Sequence, residues 1–210
     1  MKKILALSLL LPAAALAQKA PAKPAEAPAA ERSSRGRFLI APKVGLFEAT
    51  SRLAGAVFLG LEAGYITPAL DNRLAVTLEL DWVRPRTSGT STDPRLGGQA
   101  GTYSLFNAEV GLLLSAVYRM EDLIPRLTPY GGLGPGLYFH RAATTAFGSQ
   151  YIESEARVGL QALAGADYTL GPGAGFAEFR YHFTRVDFLS TGNANLGGFL
   201  ALSAGYRFRF

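Results

Sequence analysis

The chain contains no cysteine at all, and among its 210 residues there are only two histidines, two methionines and one tryptophan. Without thiols there is no disulfide framework, no thiolate zinc site and no attachment point for a lipoprotein anchor. Two histidines are too few to build a histidine-based metal centre. Charge of one sign is also scarce where it would matter. The formal net charge is +5, but Lys2 and Lys3 carry two of those charges. A net two more come from residues 18–36 (Lys19, Lys23, Arg32 and Arg35 against Glu26 and Glu31), which leaves about +1 for everything beyond. No basic stripe of the kind that neutralises phosphates runs through that remainder, so nucleic acid is not an expected partner. Beyond residue 37 there is also no apolar run long enough to cross a bilayer as a helix.

What is present begins with an export signal. Met1-Lys2-Lys3 is a basic n-region, ILALSLLLPAAALA is an apolar core, and Ala15-Leu16-Ala17 before Gln18 is an A-x-A cleavage site. Residues 1–17 therefore read as a signal peptide. Residues 18–36, QKAPAKPAEAPAAERSSRG, alternate Ala and Pro with scattered charge and cannot bury a core. They read as a disordered periplasmic linker, with residues 37–210 as one folded domain.

In that domain the dominant signal is period-2 alternation. In RLAVTLELDWVR (73–84), Leu74, Val76, Leu78, Leu80 and Trp82 share one face, and Arg73, Thr77, Glu79 and Asp81 share the other. A helix would scatter those charges around its circumference, whereas a strand segregates them. The same reading gives strands at 37–48, 54–66, 104–119, 128–142, 153–169, 176–184 and 198–210, eight in all. Pro42 suggests a bulge in the first of them. Short turns are expected at 68–72, 120–127 and 171–175. On the opposite side lie a short loop at 49–53 and longer ones at 85–102, 144–152 and 189–197. That asymmetry between the rims is typical of outer-membrane barrels.

Alternation alone fits two all-β architectures. A soluble barrel turns its apolar face inward; a membrane barrel turns it toward lipid. Three features favour the second. The strands are long enough for a tilted crossing of an apolar band about 25 Å tall. Aromatic residues lie toward the strand ends on the apolar face: Phe38, Tyr65, Trp82, Phe106, Tyr118, Tyr168, Tyr206, Phe208 and Phe210. The polar face carries charges of both signs, which can pair inside a narrow lumen. These are Lys43, Arg119, Arg157, Arg180, Arg207 and Arg209 against Glu62, Glu79, Asp81, Glu109, Glu155, Asp167 and Glu178. With His182, they form an expected structural charge network. The expected fold is an all-β, eight-stranded antiparallel up-and-down transmembrane barrel.

The opening FLIAPKVGLF, the central TPYGGLGPGLYFHR and the closing FAEFRYHF…GGFLALSAGYRFRF together resemble the small OmpA/OmpX-type outer-membrane β-barrel family. The resemblance implies a bacterial outer-membrane location and a monomer. It also implies contact with outer-membrane lipid and lipopolysaccharide. The last strand, with Tyr206, Phe208 and Phe210, resembles the signal read by the barrel-assembly machinery. The implied role is structural or one of surface interaction: membrane integrity, adhesion, or binding of an extracellular ligand by the loops. No cofactor or metal is implied.

Two other classes stay open. Some barrels of this size are lipid-modifying enzymes, and His182-Phe183-Thr184 is similar to the His-x-Ser pair of PagL-type lipid A deacylases. Thr stands for Ser, Arg185 stands where that family has Asn, and the register faces the pair into the lumen, so no catalytic residue is expected. The other class is a narrow channel for small solutes. Eight strands leave an interior that side chains nearly fill, which argues against a wide pore. The glycine-rich runs at 131–136 and 171–175 lack the Lys-Ser/Thr and helix context of a phosphate loop.

Overall fold

The computed structural model describes residues 37–49, 55–92, 100–146, 149–184 and 199–210. The signal-peptide and linker assignments, the 50–53 part of the loop expected at 49–53, and the loop at 189–197 lie outside those residues. Nine strands are present: β1 (Phe38–Ala49), β2 (Ala56–Ile66), β3 (Leu74–Val83), β4 (Arg86–Thr92), β5 (Ala100–Arg119), β6 (Leu127–Ala146), β7 (Ser149–Leu170), β8 (Gly173–Phe183) and β9 (Phe199–Arg209). Both β3 and β4 pair with β5 in one continuous register, Val83 opposite Glu109 and Arg86 opposite Phe106. They are one strand nicked at Arg84-Pro85. Proline has no N–H to give the ladder, but its carbonyl still accepts the Asn107 N–H at 3.1 Å. Eight staves result, all antiparallel to their neighbours, and β9 closes the ring against β1. At the seam, Phe38 and Phe210 exchange backbone hydrogen bonds of 3.2 and 2.9 Å.

The register fixes the geometry. The pairing runs from Phe38 through Tyr65, Val76, Ala116, Leu133, Ala162, Tyr181 and Leu200, and returns to β1 at Glu48, ten residues further on. That stagger with eight staves corresponds to a strand tilt of about 40°. Staves of 11 residues such as β2, rising about 3.3 Å per residue at that tilt, stand about 25–30 Å tall, the height of an outer-membrane apolar band.

The faces are sorted against the usual soluble sense. Val44, Leu46, Leu59, Leu61, Leu78, Leu80, Leu114, Leu133, Val158 and Leu202 are exposed on the outside. Lys43, Glu62, Glu79, Arg119, Asp167, Glu178, Arg180 and Arg207 are buried inside. Hydrocarbon, not water, is the solvent that suits this exterior.

Four expectations need correction. Pro42 requires no bulge: Ile40 opposite Phe208 and Lys43 opposite Gly205 keep the same register on either side of it, so the proline costs ladder bonds without adding a residue. The segment 85–102 is largely strand, because β4 and the start of β5 pair from Arg86–Phe106 to Thr92–Ala100. Residues 144–152 are likewise mostly strand, with β6 reaching Ala146 and β7 starting at Ser149. The physical reason is common to both. RTSGTST is rich in β-compatible Ser and Thr but polar on both faces, so it has the propensity without the alternation. The turn expected at 171–175 shrinks to two residues, with Gly171 at φ 58° and β8 already under way at Gly173.

Over the described residues the staves are therefore unequal. At the end holding both seam residues and the short turns, all eight finish level. At the other end, among the described residues, β4, β5, β6 and β7 run on past the last described residues of β1, β2, β8 and β9 as a four-stranded raised sheet.

Candidate functional site

The lumen is built by inward-facing residues of every stave, and its centre is a cation among carboxylates. The buried Lys43 Nζ of β1 lies 3.2 Å from Glu62 Oε2, 2.7 Å from Glu79 Oε2 and 3.3 Å from Glu178 Oε1. Oxygens of those three carboxylates lie within 4.8 Å of one another, the spacing of a cation site, and the lysine ammonium is the cation in it. Arg180 of β8 braces the same cluster, with Nη2 2.6 Å from Glu79 Oε2 and 2.7 Å from Glu178 Oε1. Its Nη1 donates to Gln161 Oε1 at 2.6 Å, and Gln161 Nε2 donates to Ser115 Oγ at 3.0 Å. Gln161 also reaches Leu114 O at 3.4 Å. That carbonyl faces the place where the β5–β6 ladder is interrupted opposite Pro135.

A second layer closes the turn end. Arg207 of β9 bonds Glu62 Oε1 through Nη2 at 2.9 Å and pairs with Asp167 through Nη1. Asp167 also takes Arg119 Nη1 at 2.8 Å and Arg209 Nη2 at 3.3 Å. The Arg207 guanidinium lies 4.6 Å from the Phe176 ring centre and 5.0 Å from that of Tyr130. Tyr130 OH donates to Glu178 Oε2 at 3.2 Å, linking the two layers. Two glycines make room for the tyrosines. A Cβ on Gly165 would lie 2.6 Å from the Tyr130 ring, and one on Gly159 2.9 Å from Tyr138 Cε2.

Toward the open end the lumen becomes aromatic and less charged. Tyr138 OH and His182 Nδ1 share a hydrogen bond of 2.9 Å, and the Tyr138 ring lies 6.4 Å from that of His140. His140 Nδ1 is 3.2 Å from Glu109 Oε2. Asp81, Glu109, Tyr138 and His182, with Phe47 and Phe58, line a pocket with room for about one water molecule. Both His182 and Thr184 are buried inside the barrel.

The structure thus brings together most of the charges assigned to the network from sequence. Glu155 and Arg157 are the exception. They pair with each other, but their side chains keep 22 % and 49 % of their exposure, and they lie beyond Leu160, the last β7 residue paired with β8 among the described residues. They belong to the raised sheet, not to the enclosed lumen. Tyr130, Tyr138 and Gln161 are network members that sequence reasoning missed, since a neutral side chain on a polar face has no charge to mark it. Tyr206, Phe208 and Phe210 line the outer surface near the seam, with Phe210 66 % exposed.

A closed eight-stave barrel with an apolar exterior and an ion-paired interior defines a small integral outer-membrane β-barrel protein. Residues 4–208 match the family model for the outer membrane protein beta-barrel domain, and the chain belongs to that family. It is a protein of the bacterial outer membrane. Among solved structures, it is similar to Neisserial surface protein A, with 22 % identity and a TM-score of 0.53 over 82 % of this chain and 97 % of that one. It is similar to the same degree to a major outer membrane protein from Thermus thermophilus, with 16 % identity and a TM-score of 0.53 over 82 % of this chain and 99 % of that one. These likenesses concern the fold. Among curated proteins no match is found.

Proposed function

We propose that this barrel serves as a closed structural anchor that holds a raised sheet outside the cell for surface contact, rather than as a conduit or an enzyme. The observation that carries this reading is the pairing of a filled lumen with the four-stranded raised sheet of β4–β7. Lys43, Arg180 and Arg207 tie β1, β2, β3, β7, β8 and β9 together through Glu62, Glu79, Asp167 and Glu178. Meanwhile β4–β7 continue beyond the apolar belt with Ser, Thr, Gln and Glu on their faces. In barrels of this kind the short turns face the periplasm and the longer connections face outward. The raised sheet is then the extracellular feature, and its tips are where partner specificity would reside. Adhesion, or binding of a ligand or surface, fits this arrangement, as does a contribution to membrane integrity.

Two measurements test the reading. Purified protein in planar bilayers is expected to give no large, stable conductance; a steady open channel would overturn the closed-anchor role. Cells carrying the protein with residues 144–151 replaced by Asn-Gly are expected to lose surface attachment while keeping the barrel in the outer membrane. Undiminished attachment would remove the sheet from the function.

A further inference from the structure

On the outward face of three adjacent staves, the residue sequence reads as a depth gauge. Along β3 and β4 the exposed positions run Val76, Leu78, Leu80, Trp82, Arg84, Arg86, Ser88 and Thr90. Along β6 they run Leu133, Pro135, Leu137, Phe139, Arg141 and then Thr145, with the part-buried Ala143 between the last two. Aliphatic residues give way to one aromatic, then to arginine, then to small polar residues. This order matches hydrocarbon, interface, headgroup and water.

The arginines lie close together. Ala108 of β5 stands opposite Arg141 on one side, and the unbroken register places Arg84 opposite it on the other. Two strand spacings, about 10 Å, separate the two arginine backbones. Arg86 is opposite Phe106. The Phe106 ring centre lies 4.7 Å from the Arg84 guanidinium and 5.4 Å from that of Arg86, and the Trp82 ring centre lies 5.4 Å from Arg84. The rings orient the guanidiniums while leaving their N–H edges unspent. Among the described residues, none of the three arginines makes a salt bridge with a carboxylate. At the top of β1, the outward residue is instead Glu48. Three like charges gathered on one side at headgroup depth, with no counter-charge among the described residues, call for an external anion.

We infer that Arg84, Arg86 and Arg141, braced by Trp82 and Phe106, form a binding site for a phosphorylated glycolipid of the outer leaflet, gripping its headgroup phosphates. Guanidinium N–H pairs match phosphate oxygens two at a time, and Trp82 and Phe139 sit below to meet the sugar–acyl boundary. The location outside the cell rests on the orientation proposed above; the binding itself does not.

Trp82 is the sole tryptophan of the chain and lies against Arg84, so its fluorescence reports on the site directly. Folded protein in a nonionic detergent would be titrated with a diphosphorylated lipid A-type glycolipid, with its dephosphorylated form, with inorganic phosphate and with a soluble sulfated polysaccharide. A saturable change in Trp82 emission is expected with the diphosphorylated glycolipid, at least tenfold weaker with the dephosphorylated one, and absent with inorganic phosphate at the same concentration. The triple variant Arg84→Gln/Arg86→Gln/Arg141→Gln is expected to lose at least tenfold in affinity while keeping the heat-modifiable gel mobility of a folded barrel. Arg73→Gln/Arg126→Gln at the turn end is expected to bind as the wild type does. Equal binding of the two glycolipids, or full affinity in a folded triple variant, would overturn the site. Tighter response to the soluble polysaccharide than to the glycolipid would overturn it too, by making the patch a polyanion surface.

Discussion

Lys43 on β1 reaches past the whole of β2 to place its ammonium 2.7 Å from Glu79 Oε2 on β3, the shortest of its three carboxylate contacts. The side chain spans the barrel wall's inner surface and also holds Glu62 on the adjacent β2, so one residue ties several staves together. In this narrow lumen the ion cluster shares the interior with two buried apolar clusters, one containing Phe47 and Leu113 and the other Leu39 and Leu163.

Removing that cation leaves three carboxylates within 4.8 Å and buried. Lys43→Met is expected to destabilise the folded barrel by about 3–5 kcal/mol, the usual cost of stripping one partner from a buried ion cluster. Adding Glu79→Gln to it should recover part of that loss, because a surplus charge is removed. Urea unfolding in lipid vesicles, followed by gel mobility, measures both. A Lys43→Met barrel as stable as the wild type would mean that the cluster is solvated.

The exposed Arg157–Glu155 pair provides the contrast. Glu155→Gln is expected to change stability by less than about 0.5 kcal/mol, since exposed pairs contribute little. Raising salt from about 0.1 M to about 1 M should also leave the wild-type unfolding midpoint nearly unchanged, because buried pairs are screened far less than exposed ones. A strong salt dependence would argue that water reaches the lumen.

Glycines in two settings should respond differently. Gly171 sits at φ 58° with open space around it, so Gly171→Ala is expected to cost about 1 kcal/mol for the left-handed backbone, and Gly171→Asn less. At Gly134 a Cβ would collide with the Leu114 carbonyl and crowd Ser115 Cα, backbone atoms that cannot swing away. Gly134→Ala is expected to cost more, about 1–3 kcal/mol, through overpacking between strands. Parallel urea titrations of the two alanine variants decide the order.

Depth can be read from Trp82 itself. Brominated lipids with the halogen near the headgroup are expected to quench its emission more strongly than those brominated near the chain end. The reverse order would move the apolar belt upward and take Arg84 and Arg86 out of the headgroup layer.

The alternation of residues 73–84 carried the strand, its facing and, with the two-signed polar face, the inverted solvent sense. What it could not carry was partner choice. Lys43 reaches beyond its adjacent-strand partner Glu62 because tilt brings β3 and β8 within reach of one flexible stem, and tilt is a property of the closed ring. Strand ends were illegible wherever the chain leaves the membrane. Thr87 to Thr92 and Thr144 to Tyr151 need no apolar face once water wets both sides, so the period-2 signal disappears while the backbone pairing continues. Arg157 illustrates the cost: its parity is lumenal, but its side chain is 49 % exposed, and parity carries no measure of depth. Of the outward arginines, Arg84 and Arg141 fell within strands expected from the sequence and Arg86 within an expected loop, and nothing in the alternation marked the three as neighbours.

The ten-residue return from Phe38 to Glu48 has an arithmetic consequence. Ten is even, so a residue facing outward at the start of the circuit still faces outward when the circuit closes. An odd return would join β9 to β1 with every side chain on one partner reversed, setting Arg207 against hydrocarbon or Phe208 against Asp167. A single-residue insertion in any stave must therefore be expelled as a bulge or confined to a turn, while a two-residue insertion can be absorbed by lengthening. The register of the closing pair is thus free to shift only in steps of two, whatever the length of each strand.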